Sequence, residues 1–434
     1  MRFRFLYVYV TCALALVVPV IAQAEEILPM GIFHMADGKY FQPSTGKTAD
    51  MLQDFVIAES SPTHEIQIIE TGSISKPIKI IPTDNFPLKR AIRHGQDILR
   101  GKIAKENKNT KKIIVGSEPK TRYITLAVWN PADDKIRLVS GMKNGIKFVA
   151  DNATGEGIRV QQTNGINSQF SIKSTGEKVV AIQYPIYIDA GGTKKHKKFR
   201  EEQVVYTPYS LAIHTTDMVA YGKHWLDAQI TAVLTGLRAD NVPSRSQPSK
   251  LLADVVSPEL IELIAAIEHM DTAATNRDPA KQLERFYVTL AANEDDSYDY
   301  SRSKVGALGM VQFMPKTYAF VAKQSQLALI QDFEVGMRTP INAIRAQVAY
   351  LDYLATKLPK IDAQDSIDEY IAAAYNGGYA RVKKAISVWD ENLDIQDRKK
   401  IKSKSRLKLE TMHYVEKLRL VRDQLRQDID LTIL

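Results

Sequence analysis

Two glutamates and a glycine-containing run are the residues of this chain best suited to chemistry on a sugar. The run extends from Ser303 to Tyr318, and its two glycines let the backbone approach a ligand closely. Gln312, within it, offers both a donor and an acceptor, which suits the hydroxyls and amides of an amino sugar. Glycosidic cleavage also needs a carboxylic acid that keeps its proton. Glu268 and Glu294, upstream of the run, are the two candidates.

A second cluster lies downstream, at Ala374-Tyr375-Asn376-Gly377-Gly378, after a helical pattern that begins near Ser366. Asn and Gly often end a helix, so Asn376 also has a purely structural explanation. Tyr375 differs, because a buried phenol usually finds a hydrogen-bond partner. A catalytic carboxylate is one candidate for that partner.

These blocks, in this order, resemble the motifs of lytic transglycosylases, the lysozyme-like enzymes that cut bacterial peptidoglycan. The family pattern reads Glu-Ser, then Ser three residues before Gly-Ala-x-Gly-Leu-Met-Gln-x-x-Pro-x-Thr, then Ala-Tyr-Asn-x-Gly, then a late Glu-Thr-x-x-Tyr-Val. The matching residues of this chain are Ser303, Gly306 to Gln312, Pro315, Thr317, Ala374 to Gly378 and Glu410 to Val415. The resemblance covers about residues 255–425 and leaves the N-terminal half outside it.

The resemblance implies a helical, lysozyme-like domain that cleaves the β-1,4 bond between N-acetylmuramic acid and N-acetylglucosamine. The product would carry a 1,6-anhydro ring, and the reaction would need no metal and no cofactor. The residues expected to position the glycan or the acid are Ser303, Met310, Gln312, Tyr375, Asn376 and Tyr414.

The chain departs from the family pattern at the acid, because it contains no Glu-Ser pair. Glu294 stands twelve residues before Gly306, the usual spacing in the family, but Asp295 and Asp296 follow it in place of Ser. Three consecutive acids are typical of a solvated helix end. Glu294 therefore has the expected position without the expected surroundings.

Glu268 has the surroundings that a general acid needs. It follows an apolar helical stripe that contains Leu260, Leu263, Ile264 and Ile267. Apolar neighbours disfavour the charged form of a carboxyl group and so keep its proton near neutral pH. Another branch of the family also places its catalytic glutamate several dozen residues before Gly-Ala-x-Gly-x-x-Gln-Phe-Met-Pro. The sequence favours Glu268, with residues 271–300 as an insertion, and Glu294 stays the alternative.

Two other functional classes stay open. A lysozyme-type hydrolase would need a base that activates water, and four aspartates are available for this, Asp271, Asp295, Asp296 and Asp299. A non-catalytic module could instead keep the cleft as a peptidoglycan-binding scaffold of an envelope complex. The missing Glu-Ser pair is the feature that favours this third class.

The first 24 residues predict a secretory signal peptide. Arg2 and Arg4 precede an apolar run, and Ala22-Gln23-Ala24 has the small residues of a cleavage site. The run is short for a stable membrane span, which takes about 20 apolar residues. Cys12, the only cysteine, lies in this segment, so the mature chain would lack disulfides. We therefore expect a periplasmic or secreted protein.

The formal net charge of +8 suits contact with an anionic envelope polymer such as peptidoglycan. The densest basic patch has no aromatic residue to stack on bases, which argues against nucleic-acid binding. Its members are Arg398, Lys399, Lys400, Lys402, Lys404, Arg406 and Lys408.

The length of 434 residues predicts more than one domain. Residues 239–250 are rich in proline and serine and are expected to be a linker. We expect a β-rich accessory domain at residues 25–238, of no recognised family and open to an envelope protein partner. A helical lysozyme-like domain is expected at residues 251–434, which makes the fold class α+β.

Alternating patterns and turn signals place three short strands in the N-terminal half. These are Tyr123 to Trp129, Lys135 to Val139 and Gly157 to Gln161, with turns at Asn130-Pro131, Asn144-Gly145 and Asn164-Gly165. An antiparallel sheet is expected, and a β-sandwich is one arrangement of it. Residues 85–108 are expected to be partly helical.

Overall fold

The structure is a computed structural model, and it describes residues 86–106, 112–173, 176–193, 196–324, 327–358, 364–386 and 407–433. The signal peptide expected at residues 1–24 lies outside the described residues. The described chain divides into two compact units. The β-containing unit comprises residues 86–262 and 287–352, and the helical unit comprises 263–286 and 353–433, apart from the gaps given above.

Eight strands are present in the described part of the β-containing unit. They are β1 (Ile113–Val115), β2 (Arg122–Asn130), β3 (Lys135–Asn144), β4 (Lys147–Ala150), β5 (Ile158–Gln162), β6 (Gln169–Ile172), β7 (Lys178–Gly192) and β8 (Lys197–Tyr206). Six form one antiparallel sheet in the order β1-β8-β7-β2-β3-β4, and β5 pairs with β6 in a separate hairpin. The three predicted strands correspond to β2, β3 and β5, so these predictions are confirmed.

The helices follow the periodic apolar segments of the sequence. They are α1 (Pro87–Glu106), α2 (Thr216–Ala239), α3 (Pro258–Ile267), α4 (Thr272–Arg277), α5 (Pro279–Asn293), α6 (Pro315–Gln324), α7 (Phe333–Arg338), α8 (Pro340–Ala355), α9 (Gln364–Gly377), α10 (Tyr379–Ile386) and α11 (Leu409–Ile433). Strands at residues 113–206 thus precede the helical C-terminal region, as the expected α+β class requires.

The six-stranded sheet is covered on both faces, which explains why β2 is buried from Ile124 to Trp129 without alternation. One face packs on α1 and on residues of α5, including Val288 and Ala292. Gly95 of α1 permits this close contact, since a Cβ there would lie 3.0 Å from a methyl group of Val180. The other face packs on the β5–β6 hairpin. The arrangement is therefore only partly a β-sandwich, because the two-stranded β5–β6 sheet covers one face of the large sheet and helices cover the other.

The segment expected to be a linker is hydrogen-bonded to α8 within the β-containing unit. The Ser244 hydroxyl and the Arg245 amide each donate to the Asp352 carboxylate at 2.7 Å. The Leu252 amide donates to the Val242 carbonyl at 2.8 Å. These bonds hold residues 239–250 in a defined turn, while the domain boundaries themselves stay a prediction.

In the helical unit, α9 and α11 are joined by a charge network. Glu369 accepts hydrogen bonds from Arg419 at 2.5 and 2.8 Å and from Arg422 at 3.1 Å. The pairing fixes the face that α11 turns toward α9. No described helix is long and apolar enough to cross a membrane.

Candidate active site

Glu268 is positioned by the end of an apolar helix in the helical unit. Residues 263–267, the last turn of α3, are all at most 1% exposed. The Glu268 amide donates to the Ile264 carbonyl at 3.2 Å, so the residue continues the helix by one position. The Glu268 side chain itself is partly buried. Apolar burial of α3 therefore fixes the backbone at Glu268, while the residue as a whole keeps some exposed surface.

Tyr414 of α11 is the direct hydrogen-bond partner of this carboxyl group. Its hydroxyl donates to Oε1 of Glu268 at 2.7 Å, and its side chain is 3% exposed. The sequence placed Tyr414 among the residues that position glycan or acid. The structure places it against Glu268, the candidate that the sequence favours.

Lys417 also belongs to this cluster, and the sequence reasoning missed it. Its Nζ donates to the carbonyls of Ile267 and Met270, both at 2.8 Å, and lies 5.7 Å from the Tyr414 ring centroid. A cation at the carboxyl end of a helix satisfies carbonyls that have no partner within the helix. Its spacing of three from Tyr414 on one helix was the available signal.

The surroundings of Glu268 raise its pKa to about 7. Burial is the largest cause, and the nearby Glu410 carboxylate acts in the same direction. The Tyr414 hydrogen bond and the Lys417 charge oppose them. Burial also lowers the pKa of Lys417 and raises that of Tyr414. Glu268 can therefore hold a proton near neutral pH and also exist as a stabilised carboxylate.

The predicted cluster around Tyr375 joins α9 to the first turn of α11. The Thr411 hydroxyl donates to Oδ1 of Asn376 at 3.0 Å. A Cβ at Gly377 would lie 2.6 Å from the Thr411 hydroxyl oxygen, so the close contact requires glycine. Tyr375 is partly exposed, and its phenol lies near enough to Tyr414 to contribute, after burial and Glu268, to the raised pKa of Tyr414. Asn376 thus has a structural role, and Tyr375 lies near the Tyr414–Glu268 pair.

Glu294 lies in the β-containing unit, directly after α5, with a φ of +48°. Its carboxylate lies 3.2 Å from Nζ of Lys89 and 2.8 Å from a guanidinium nitrogen of Arg93. The Tyr221 hydroxyl also donates to it, at 2.5 Å. Its side chain is 26% exposed, so the expectation of a solvated helix end is wrong for this residue. The partners come from α1 and α2, which local sequence around Glu294 does not reveal.

The two glutamates are in opposite electrostatic states. Burial opposes the charge of Glu294, but Lys89 and Arg93 outweigh it, and the pKa of Glu294 is lowered. Burial also opposes the charge of Lys89, and it lowers the pKa of this ammonium group to about 8. A carboxylate held between two cations is a poor proton donor. Glu268 has the properties of a general acid, whereas Glu294 has those of a buried ion-pair partner.

The glycine-containing run forms a braced loop in the β-containing unit. Nε2 of Gln312 donates to the carbonyls of Gly309 at 2.7 Å and Ser301 at 3.0 Å. Oγ of Ser303 accepts from the Ala307 amide at 2.9 Å, and Met310 is 3% exposed. The described donor contacts of Gln312 therefore hold the loop in shape.

Two of the four aspartates considered as bases have described partners. The Asp271 carboxylate accepts from the Ala274 amide at 2.8 Å and caps α4. Asp296 pairs with Arg100 at 2.8 Å, and burial raises the pKa of Asp299 to about 8. Among the described residues, no group of three or more His, Cys, Asp or Glu side chains could hold a metal ion.

Comparison with known proteins agrees with the motifs. No curated protein matches the chain. The family described as "Transglycosylase SLT domain" matches residues 273–396, a range that includes Glu294 and begins after Glu268. The C-terminal half of the chain therefore carries a transglycosylase SLT domain, which supports its resemblance to the lytic transglycosylase family.

Proposed function

We propose that the C-terminal half of the chain is a peptidoglycan lytic transglycosylase with Glu268 as its acid. The observation that carries this proposal is the Glu268 carboxyl, whose pKa is about 7 and which accepts a hydrogen bond from Tyr414. The transglycosylase SLT match at residues 273–396 supports a reaction on peptidoglycan. The bond cleaved is the β-1,4 linkage between N-acetylmuramic acid and N-acetylglucosamine.

In the first step, protonated Glu268 donates its proton to the bridging oxygen as the bond from muramoyl C1 to that oxygen breaks. The N-acetyl group of the muramoyl sugar can stabilise the positive charge at C1, as in substrate-assisted glycosidases. Glu268 is then a carboxylate, which the Tyr414 hydroxyl and the Lys417 charge stabilise. One carboxyl group is enough for this step.

In the second step, the C6 hydroxyl oxygen of the same sugar bonds to C1 and its proton passes to Glu268. This closes the 1,6-anhydro ring and regenerates the acid without consuming water. A group with a pKa near the working pH can both donate and accept the proton. Glu294 is less suitable, because Lys89 and Arg93 hold it ionised.

The other candidate residues are proposed to bind or position the glycan, each within its own unit. We propose that Tyr375 and Asn376 position glycan or acid beside Tyr414. Ser303, Met310 and Gln312 would act through the shape of their braced loop. These roles rest on the motif resemblance and on the contacts given above.

The decisive experiment is mass spectrometry of muropeptides released from purified sacculi. A transglycosylase releases products lighter by one water than those of a hydrolase, without a reducing muramoyl end. Reducing ends as the main product would establish a hydrolase and direct attention to Asp271, Asp295, Asp296 and Asp299. Binding to sacculi without release would instead support a scaffold.

The acid is assigned by two matched substitutions. Glu268→Gln keeps the shape and removes the proton, so turnover should fall roughly 10² to 10⁴-fold. Glu294→Gln is the matched control and should retain turnover in the folded protein. The opposite pattern, with loss only in Glu294→Gln, would move the acid to Glu294.

We infer that the protein acts in the periplasm or outside the cell, where its proposed substrate lies. The predicted signal peptide at residues 1–24 supports this location. A role of the β-rich region in binding an envelope protein partner stays a proposal. Fractionation of cells that express the complete chain would test the location.

A further inference from the structure

Two basic residues lie opposite each other on neighbouring strands of the β-containing unit, far in sequence from the residues proposed for catalysis. Arg122 on β2 and Lys143 on β3 are direct cross-strand partners. The Lys143 residue is 3% exposed, and the Arg122 side chain is 11% exposed. Like charges directly opposite each other in a sheet are destabilising, so this pair needs a physical explanation.

The surrounding protein provides only part of the compensation. Among the described residues, Glu118 is the carboxylate that forms an ion pair with Arg122. Arg122 also lies over the Tyr187 ring, 4.3 Å from its centroid, and the phenols of Tyr184 and Tyr187 neighbour its guanidinium group. Nε and Nη1 of Arg122 are buried and have no hydrogen-bond partner among the described residues. Nζ of Lys143 donates to the Thr163 hydroxyl at 3.1 Å.

The balance of charge therefore favours a further anion. The Glu118 carboxylate carries one negative charge, while Arg122 and Lys143 together carry two positive charges. A buried cation that lacks full pairing lowers the stability of the fold. Burial, followed by the repulsion from Arg122, lowers the pKa of Lys143 to about 8, so the ammonium is still mainly charged at pH 7. An acceptor group with several oxygens could satisfy Nζ of Lys143 and the unpaired nitrogens of Arg122 together.

We propose that Arg122 and Lys143 form a binding site for an oxyanion, a carboxylate or a phosphate group, in the β-rich region. The site is open at one side, since Thr163 is exposed and the Glu118 side chain is 29% exposed. A ligand can therefore reach the lysine end without unfolding the sheet. This site is independent of the chemistry proposed for Glu268.

The test is thermal unfolding of the complete chain at constant ionic strength, with inorganic phosphate or acetate replacing chloride. At least one of the two probes should raise the melting temperature, because a ligand that binds only the folded state stabilises it. The probe that does so assigns the ligand as a phosphate or a carboxylate. Isothermal titration calorimetry with the same probe should give one site per chain. No shift and no heat with both probes would overturn the proposal.

Lys143→Met supplies the sharper test, because it removes one of two repelling cations. Without a probe, this variant should be at least as stable as the wild type, and its affinity for the probe should fall at least roughly tenfold. Lys147→Met, at an exposed position on β4, is the matched control and should behave as the wild type. A Lys143→Met variant that is less stable, fails to fold or keeps the full response would show that Lys143 only supports the structure.

Discussion

The Tyr414 hydroxyl and the Glu268 carboxyl form a hydrogen bond of 2.7 Å across 146 residues of sequence. The bond stabilises the ionised form of a carboxyl group whose burial favours the protonated form. The two effects together place the pKa of Glu268 at about 7. The contact thus tunes the residue on which the proposed proton transfers depend.

We expect Tyr414→Phe to raise the pKa of Glu268, because the substitution removes a hydrogen bond to its carboxylate. Turnover of sacculi should then persist to higher pH, with the alkaline limb of the pH profile moved up by roughly one unit or less. Lys417 and Glu410 also influence this pKa and are unchanged in the variant.

Tyr379→Phe is the matched control for Tyr414→Phe, because Tyr379 is 37% exposed on α10. Its pH profile should coincide with that of the wild type. If the alkaline limb does not move in Tyr414→Phe, the hydrogen bond from Tyr414 does not influence the pKa of Glu268.

Lys417 should influence both the stability of the fold and the pKa of Glu268. Lys417→Met removes the lysine donor from the carbonyls of Ile267 and Met270, at a cost of about 1 to 3 kcal/mol, although the Ile267 carbonyl keeps a 3.4 Å hydrogen bond from the Met270 amide. It also removes a charge that lowers the pKa of Glu268, so the alkaline limb should move to higher pH.

Lys417→Arg keeps the charge and should keep the pH profile near that of the wild type, even if packing lowers its melting temperature. Lys408→Met, at an exposed position, controls for the loss of a lysine. A purely structural role of Lys417 would lower the melting temperature in Lys417→Met and leave the pH profile unmoved.

Much of the fold followed from the sequence because local patterns specify it. The turns that follow β2, β3 and β5 contain Asn with Pro or Gly. The apolar stripe that ends at Glu268 is likewise a local pattern, and it predicts the helix α3. These features depend on neighbours within a few residues, which alternation and helical periodicity report directly.

The contacts that decide the roles of the two glutamates could not be predicted in the same way. Glu294 gains Lys89 and Arg93 from about 200 positions upstream, and its local run of acids predicted a solvated helix end. Lys417 reaches the end of α3 through side-chain packing that no motif states. Helical periodicity places residues on a face but does not identify what that face contacts.

The stability of the protein should depend on pH through Glu268. Its folded-state pKa of about 7 lies above the ordinary value of about 4.3, so its contribution is fully present below about pH 4. That contribution is lost as the pH rises through 7. Glu268→Gln carries no charge and should exceed the wild type in stability at pH 8, by roughly 3 to 4 kcal/mol at most.

The difference between Glu268→Gln and the wild type should shrink toward zero at pH 4, where both side chains are neutral. Denaturant unfolding at the two pH values measures it, and Glu156→Gln, at an exposed position of the β-containing unit, is the control. A difference that is the same at both pH values would mean that folding does not shift the pKa of Glu268.

The expected boundary at residues 239–250 can be tested by truncation. Val288, Ala291 and Ala292 of α5 pack in one core with Ala91 and Ile92 of α1. A fragment of residues 251–434 would expose this apolar surface, so we expect it to unfold at lower denaturant than the complete chain. A cooperative fragment of undiminished stability would instead support residues 239–250 as a true domain boundary.

Glu294→Gln should reduce stability rather than chemistry. The substitution leaves buried Lys89 and partly exposed Arg93 facing each other without their carboxylate, at a cost of about 1 to 3 kcal/mol. The lowered pKa of Glu294 stabilises the fold above about pH 4, and this contribution is lost as the pH falls through the folded-state value. The variant should therefore melt lower than the wild type at pH 7 and approach it in acid. Lost turnover at an unchanged melting temperature would contradict the structural role.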